Sequence, residues 1–313
     1  MKLAIIDCGT NTFNLLILEI IDSKVQQKLV STRESVKLGE GSINKGFIGE
    51  EAFQRALHAF ELFNGHIQTQ QTDHVLAYAT SAIRDATNGW RLIAKVKEKF
   101  GISIDIINGL NEANFIFLGV NAAVKLSDDV SLIMDIGGGS VEFILAKKGL
   151  MLWKESFNVG VARILDNFHP SDPITINEIN TIQQFLKEKL RRLGEAIHRF
   201  KPTELVGSSG AFESFIEMLA IKNLSLPLSD KTTEYDIECQ NYLLLAKEII
   251  HSSVEQRKSM QGIVPMRVDM IVISCIMVNF VLEEYNLSKL RVSSYSLKEG
   301  AVIHYINTSK KQQ

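Results

Sequence analysis

A stretch near the middle of the chain, SLIMDIGGGSVEFIL over residues 131–145, brings together residue types that handle phosphate. Its apolar start predicts a strand that ends at Asp135, and the residues after Ser140 predict a second strand. The turn between them is almost bare backbone, with Gly137, Gly138 and Gly139 in a row. Successive N–H groups in such a turn form a concavity that binds anions, and carboxylates such as Asp135 and Glu142 suit a hard cation or a water. An ordinary glycine-rich hairpin turn is the alternative.

The first twenty residues, MKLAIIDCGTNTFNLLILEI, repeat this pattern. Aligning Asp7 with Asp135 places Gly9 on Gly137 and Thr12 on Ser140. Two hairpins of the form strand, Asp-x-Gly, strand therefore begin the two halves of the chain. A repeat of this kind predicts a duplicated domain with a cleft between the copies. Facing each other across that cleft, the loops would form a phosphate clamp with a place for magnesium, and the first loop would contribute Gly9, Thr10, Asn11 and Thr12.

The elements that must position these loops alternate between strands and helices, which predicts parallel crossovers and an α/β fold. In the first half we predict strands at 24–38, 74–78 and 102–107 and helices at 50–67, 88–100 and 112–124. In the second half we predict strands at 150–156, 205–210 and 289–294 and helices at 176–200, 211–221, 234–252, 268–285 and 297–308.

Composition narrows the function classes. The chain has 313 residues, 45% hydrophobic residues and a net charge of −2, which is normal for a globular protein and gives no general attraction to nucleic acid or anionic membrane. Its three cysteines are widely separated, which argues against a disulfide framework and a structural zinc site. The longest apolar stretch is too short to span a bilayer, and no secretory signal is visible, so we expect a cytoplasmic protein.

The motifs that are missing are informative too. The chain has no GxxxxGK[ST] element and no GxGxxG after a strand, so neither a P-loop nor the usual dinucleotide fingerprint is present. Phosphoryl transfer needs mainly positioning and charge neutralisation, which paired loops supply. Hydrolysis also needs a base for the attacking water. From composition alone Glu112 is one of many glutamates near a helix start, where capping is the ordinary role.

Several ordered motifs resemble those of exopolyphosphatases and guanosine pentaphosphate phosphohydrolases. They cover nearly the whole chain and read DCGTNT at 7–12, ATSAIRDATN at 79–88, NGLNEA at 108–113, DIGGGSVE at 135–142, NVGVAR at 158–163, VGSSG at 206–210, RVDMI at 267–271 and LKEG at 297–300. Taken singly, the glycine loops would also fit sugar kinases, actin or heat-shock chaperones.

The resemblance implies an actin-like fold of two ribonuclease-H-like α/β domains. It also implies magnesium-dependent release of terminal orthophosphate from inorganic polyphosphate or from guanosine pentaphosphate. Glu112 matches the glutamate that activates the attacking water. Asp7, Asp135 and Glu142 match acidic positions that act with the metal or the water.

Other residues match phosphate-binding positions of the family: Asn11, Arg84, Gly137, Gly138 and Ser140. A guanidinium such as that of Arg84 binds phosphate oxygens in pairs, although a surface ion pair with Asp85 is the alternative. The match also places Arg267 in the cleft, where the alternative is a surface residue at a helix start.

The repeated hairpin, with a terminal helix that follows a strand and has no domain of its own left to complete, divides the chain into one domain of 1–123 plus 298–313 and a second of 124–297. The resemblance implies a homodimer. Where the family often has paired glutamates, this chain has Asn111 before Glu112. The C-terminal helical domains of longer members do not follow, which argues against high processivity on long chains. Two other functions stay open, a kinase-like or chaperone-like ATPase of the same superfold and a catalytically silent sensor of polyphosphate or an alarmone.

Overall fold

The structure is a computed structural model that describes residues 1–222, 229 and 232–309. Strands of the first sheet are β1 (Lys2–Cys8), β2 (Thr12–Ile21), β3 (Lys24–Ser35), β4 (His74–Ala79) and β5 (Ile104–Ile106). Their order is β3-β2-β1-β4-β5, with β1, β2 and β3 antiparallel and β4 and β5 parallel to β1. Residues of β1 alternate between two apolar cores, because helices cover both faces of this sheet.

The second sheet repeats the first. Its strands are β6 (Ser131–Ile136), β7 (Val141–Lys147), β8 (Leu150–Phe157), β9 (Glu204–Ser208), β10 (Glu234–Ile237) and β11 (Leu290–Ser293). The order β8-β7-β6-β9-β11 matches that of the first sheet strand for strand, and β10 adds an antiparallel edge. The expected fold class, two ribonuclease-H-like α/β halves, is therefore confirmed.

Helices cover both sheets. In the first half they are α1 (Glu50–Thr69), α2 (Ser81–Asp85), α3 (Gly89–Phe100) and α4 (Gly109–Ala123). In the second half they are α5 (Val161–Phe168), α6 (Ile176–Lys189), α7 (Arg191–Phe200), α8 (Gly210–Ile221), α9 (Cys239–Ile250), α10 (Val254–Ser259), α11 (Ile271–Glu284) and α12 (Leu297–Ser309).

Two helices join the halves. α4 follows the first sheet in the chain but contacts β7 and β8, whereas α12 follows the second sheet but contacts β1. The two helices also pack on each other, and their apolar residues form a core shared by both sheets. The loops at the ends of β1 and β6 are thereby held against a common support. The return of α12 to the first sheet agrees with the arrangement expected for 298–309, while 310–313 lie outside the described residues.

The α4–α12 contact depends on glycine. A Cβ atom at Gly300 would lie 1.7 Å from the carbonyl oxygen of Phe115, and one at Gly119 would lie 2.2 Å from the carbonyl oxygen of Ser296. Both obstacles are backbone atoms of the facing segment, which cannot rotate away. These helices therefore approach more closely than any side chain would allow.

We expect Gly300→Ala to lower the free energy of unfolding by about 1–3 kcal/mol, the usual cost of forcing an extra methyl group into a packed contact. Gly65→Ala is the matched control, since Gly65 lies within α1 and a Cβ there meets nothing within 4 Å. This control should be neutral or stabilising, because alanine favours helix over glycine. Thermal unfolding measures both, and an equally stable Gly300→Ala protein would contradict the packing argument.

One predicted helix is two. The expected helix 176–200 breaks at Leu190, whose φ and ψ of −93° and 16° separate α6 from α7. Leu186, Leu190 and Leu193 are all buried in the second core. The break keeps the apolar residues of both helices packed on the core. The sequence periodicity alone was compatible with one straight helix.

The predicted helix 234–252 was wrong at its start. Residues 234–237 form β10, in which Tyr235 and Ile237 are buried while Asp236 is exposed. This alternation has the period of a strand, and β10 gains a partner in β11 that local sequence cannot reveal. The short helices α2, α5 and α10 were not predicted. None of the helices in the described ranges is long and apolar enough to cross a membrane.

Candidate active site

The two predicted loops have the same geometry. Asp7 pairs with Asn14 across the first hairpin, and Asp135 pairs with Glu142 across the second. In each loop a Cβ on the first glycine, Gly9 or Gly137, would lie 2.8 Å from a carbonyl oxygen three residues later in the chain. The repeat that the sequence suggested is thus a repeat of backbone conformation, and glycine is required at the same point in both copies.

The loops also touch each other. A Cβ on Gly138 would lie 2.4 Å from the Asn11 amide, and one on Gly139 would lie 1.7 Å from the Ser81 hydroxyl. The second and third glycines are therefore needed for close approach across the cleft. The sequence predicted these glycines as phosphate-binding residues, and the close contact is a second reason why glycine is needed there.

Helix α5 fixes the orientation of the second loop. The backbone N–H groups of Val161 and Ala162 donate to the carbonyl oxygens of Gly137 and Gly138, at 3.1 and 2.8 Å. In a trans peptide the N–H points opposite to the carbonyl, so the N–H groups of Gly138 and Gly139 are directed away from α5. The backbone donors of this loop are thereby set before any ligand arrives.

Four predicted carboxylates lie together, of which Glu112, Asp135 and Glu142 are buried and Asp7 is half-buried. Asp7, Glu112, Asp135 and Glu142 line or closely back one cavity of about 170 Å³ between the halves. Each carboxylate accepts a hydrogen bond from a side chain. Asn14 donates to Asp7 at 3.1 Å and Arg84 donates to Glu112 at 3.3 Å. Ser208 donates to Asp135 at 2.8 Å and Ser156 donates to Glu142 at 2.6 Å.

Burial and mutual repulsion raise the pKa values of these acids. Burial raises the pKa of Asp7 and of Asp135 to about 6, against the opposing effect of Lys298. Burial and the charge of Asp135 raise the pKa of Glu142 to about 7, although Ser156 acts the other way. Burial and the charge of Glu142 raise the pKa of Glu112 well above its usual value. The cluster thus favours bound protons or a bound cation near neutral pH.

Glu112 is not a helix cap. The side chain of Asn108 accepts the N–H of Asn111 at 2.8 Å and so caps α4 itself. The Glu112 carboxylate instead faces the cavity and the Arg84 guanidinium. The ordinary reading of a glutamate at a helix start is therefore wrong for this residue.

Arg84 makes the expected ion pair with Asp85 and also an ion pair with Glu112 that the sequence did not suggest. Its Nη1 lies 3.3 Å from Glu112 Oε2, and its Nε lies 3.2 Å from Asp85 Oδ1. Asp85 in turn accepts a hydrogen bond from Arg163 Nη2 at 2.5 Å, and Arg163 Nε donates to the carbonyl oxygen of Gly139 at 2.7 Å. A chain of charged side chains thus runs from the second loop across the cleft to Glu112.

Arg267 lies in the cleft. It donates to Glu213 at 2.9 Å and to the Ser214 hydroxyl at 2.8 Å, and its guanidinium lies over Gly210, where a Cβ would come within 2.2 Å. The predicted cleft position is thus observed, and the surface alternative is wrong.

The cavity wall contains most of the predicted residues: Asp7, Gly9, Thr10, Asn11, Thr12, Glu112, Asp135, Gly137, Gly138, Gly139, Ser140 and Arg267. Glu142 and Arg84 lie just behind this wall. Glu142 is 1% exposed and reaches the cavity only through the charges of Asp135 and Glu112.

Sequence reasoning assigned no role to several residues of the site: Arg33, Ser156, Arg163, Ser208, Glu213 and Lys298. Arg163, Ser208 and Lys298 stand within motifs that carried the resemblance, which was a usable signal. Nothing in the sequence marked Arg33, because it comes from an exposed hairpin that pairing with β2 brings to the cavity.

The donor set fits a magnesium ion only in part. Among the residues that the structure describes, no group of three or more His, Cys, Asp or Glu side chains is placed to hold a metal ion. Magnesium, however, is usually held by one or two carboxylates together with waters and substrate phosphates. Asp7 and Asp135, with raised pKa values at the cavity wall, have the chemistry for that role.

Comparisons with known proteins cover nearly the whole chain. Residues 16–308 match the model of the Ppx/GppA phosphatase family. The crystal structure of an exopolyphosphatase from Cytophaga hutchinsonii is 37% identical, with a TM-score of 0.95 over 98% of each chain. A putative exopolyphosphatase of Haemophilus influenzae is 25% identical over 96% of this chain and 90% of its own.

A Ppx/GppA family member from Aquifex aeolicus shares the fold, with a TM-score of 0.78 at 21% identity over 99% of this chain and 98% of its own. The agreement therefore extends over both halves and the cleft between them. The chain belongs to the Ppx/GppA phosphatase family.

Proposed function

We propose that this protein is an exopolyphosphatase that hydrolyses the terminal phosphoanhydride bond of inorganic polyphosphate and releases orthophosphate, with Mg²⁺ as cofactor. The observation that carries the proposal is the pairing of Glu112 and Arg84 beside a cavity lined by two phosphate loops. Family membership and the exopolyphosphatase names of the relatives in Cytophaga and Haemophilus support it.

In the proposed reaction Glu112 accepts a proton from a water as the water oxygen attacks the terminal phosphorus. The bridging P–O bond breaks, its electron pair stays on the shortened chain, and orthophosphate leaves. Arg84 binds oxygens of the transferred group, since a guanidinium matches phosphate geometry. Such a pairing holds the base and the electrophile at one place, which is the main requirement of phosphoryl transfer.

The two loops would bind the terminal phosphates through backbone N–H groups and short polar side chains. The proposed phosphate-binding residues of the two loops are Gly9, Thr10, Asn11, Thr12, Gly137, Gly138, Gly139 and Ser140, and Arg267 is proposed to bind a phosphate farther from the reacting end. The loop N–H groups support this role because α5 already orients the second loop. Preorganised donors of this kind stabilise developing charge without rearrangement.

Asp7 and Asp135 would hold Mg²⁺ together with waters and substrate phosphates, and Glu142, the third predicted metal residue, would act on the ion through its charge from behind the cavity wall. The bound ion would neutralise charge on the phosphate oxygens. The raised pKa values support this assignment, because carboxylates that burial has stripped of water favour a bound cation, and the charge of Asp135 adds to the effect at Asp7 and Glu142. Asn14, Ser208 and Ser156 would keep the three carboxylates oriented.

The test is orthophosphate release from inorganic polyphosphate, guanosine pentaphosphate and ATP, each with Mg²⁺ and with excess chelator. We expect release from polyphosphate that the chelator abolishes. Faster release from guanosine pentaphosphate would favour that substrate, which presents the same terminal bond. Turnover of ATP alone would contradict the proposal in favour of an ATPase, and no release from any substrate would favour a sensor.

A further inference from the structure

Two arginines from opposite sides of the cleft meet on one carboxylate. Arg33 Nη1, on β3 of the first half, lies 2.9 Å from Glu213 Oε2. Arg267 Nη2, in the second half, lies 2.9 Å from the same oxygen. All three residues line the cavity that contains the phosphate loops. A single acceptor atom thus holds two guanidinium groups together across the cleft.

Three cations surround the Glu213 carboxylate. Although burial opposes it, Arg267, Lys298 and Arg33 lower the pKa of Glu213 to about 2, so the carboxylate is charged at every working pH. Lys298 is also held above its usual pKa, against the effect of burial, by Glu299, Glu213 and Asp7. Glu213 therefore interacts with three cations, of which Lys298 also pairs with Glu299.

Two converging guanidinium groups suit a phosphate, because each presents paired N–H donors to the oxygens of an anion. A polyphosphate chain carries such an anion at every repeat. The side chains of Arg33 and Glu213 are 37% and 31% exposed, so the carboxylate can leave toward solvent without breaking the core.

We propose that the Glu213 carboxylate competes with the substrate for Arg33 and Arg267. It must leave these two side chains before a phosphate further along the polyphosphate can bind them. The choice of polyphosphate rests on the proposed function, whereas the exchange of one anion for another is a matter of binding alone. Glu213 therefore weakens affinity for long polyanions and leaves the terminal phosphate site unchanged.

The alternative is that Glu213 only fixes the two arginines in place. The two readings predict opposite signs for Glu213→Gln, which keeps the shape and removes the charge. If Glu213 competes, the variant binds long chains more tightly. If Glu213 only positions the arginines, Glu213→Gln binds long polyphosphate chains more weakly or equally well.

The experiment measures the dissociation constants of orthophosphate and of long-chain inorganic polyphosphate by calorimetry. All proteins carry Glu112→Gln to suppress turnover. We expect Glu213→Gln to lower the constant for polyphosphate by roughly 5-fold to 150-fold, the usual range of coupling between competing interactions, with little change for orthophosphate. Glu248→Gln is the charge-matched control, because Glu248 pairs with Lys222 on the exposed surface of α9.

An unchanged or higher constant for polyphosphate in Glu213→Gln would overturn the proposal. If Glu213→Gln folds poorly, Arg33→Gln provides a second test. Arg33→Gln should raise the dissociation constant for polyphosphate, and an unchanged constant would also overturn the proposal. Absence of orthophosphate release by the otherwise unchanged protein would contradict the proposed function alone, because the binding measurement does not depend on turnover.

Discussion

Glu112→Gln is expected to lower kcat on polyphosphate by roughly 10²–10⁴-fold, the usual range for removal of a general base, with little change in KM. The amide oxygen still accepts the Arg84 hydrogen bond, so the shape of the site is kept. What is lost is the only function of the carboxylate that an amide cannot perform, which is to accept a proton from water. Steady-state orthophosphate release measures the effect.

Glu51→Gln is the matched control, since Glu51 lies in the first turn of α1 and is exposed. It removes the same charge from an equivalent helix position far from the cavity and should leave kcat unchanged. A Glu112→Gln enzyme with near wild-type kcat would sink the base assignment. Asp7 or Glu142 would then be the candidates for handling the water.

Arg163→Gln is expected to lower kcat on the order of 10²-fold, the cost of a misplacement of about 1 Å in a catalytic group. Arg163 is a positioning residue that acts through Asp85 on Arg84 and through the Gly139 carbonyl on the second loop. Because Arg163 reaches Asp85 across the cleft, it links the orientation of Arg84 to the position of the second half. Arg163→Lys should recover part of the activity, because an ammonium can reach one partner but not both.

A purely structural role would give a different result. Arg192→Gln is the control, since Arg192 pairs with Glu155 from a side chain that is 70% exposed, and it should be neutral. In the double variant Arg163→Gln with Asp85→Asn, the two losses should overlap rather than add, because both break the same chain. Additive losses would contradict the relay from Arg163 to Arg84.

The fold could be predicted largely because both halves begin with the same hairpin. Asp7 and Asp135 stand at equivalent points of the two hairpins, and the strand order of the two sheets follows from that repeat. β10 could not be predicted, because its alternation is only four residues long and its partner β11 lies some fifty residues later. The break at Leu190 was missed because the apolar stripe continues on both sides of it.

The site was predicted where a residue stands in a glycine loop or a motif, and missed where distant pairing brings it in. Arg33 reaches the cavity through the register of β2 and β3, and Glu213 through the start of α8. Neither carries a local signal. The ion pair between Arg33 and Glu213 spans 180 residues of sequence, which no reading of spacing reveals.

Three features stay predictions. The boundaries 1–123 plus 298–313 and 124–297 divide the chain between sheets, although α4, which they assign to the first domain, contacts β7 and β8 of the second sheet. The homodimer and the cytoplasmic location rest on the resemblance and on the sequence. Neither changes the chemistry of the cleft.

The most direct test of the central claim, hydrolysis of a terminal phosphoanhydride bond by water, is a single turnover on polyphosphate in ¹⁸O-labelled water with Mg²⁺. The account predicts that the released orthophosphate carries one oxygen from the solvent and that the shortened chain carries none. Label in the chain, or orthophosphate without label, would show that the phosphoryl group is not transferred to water at this site and would contradict the account.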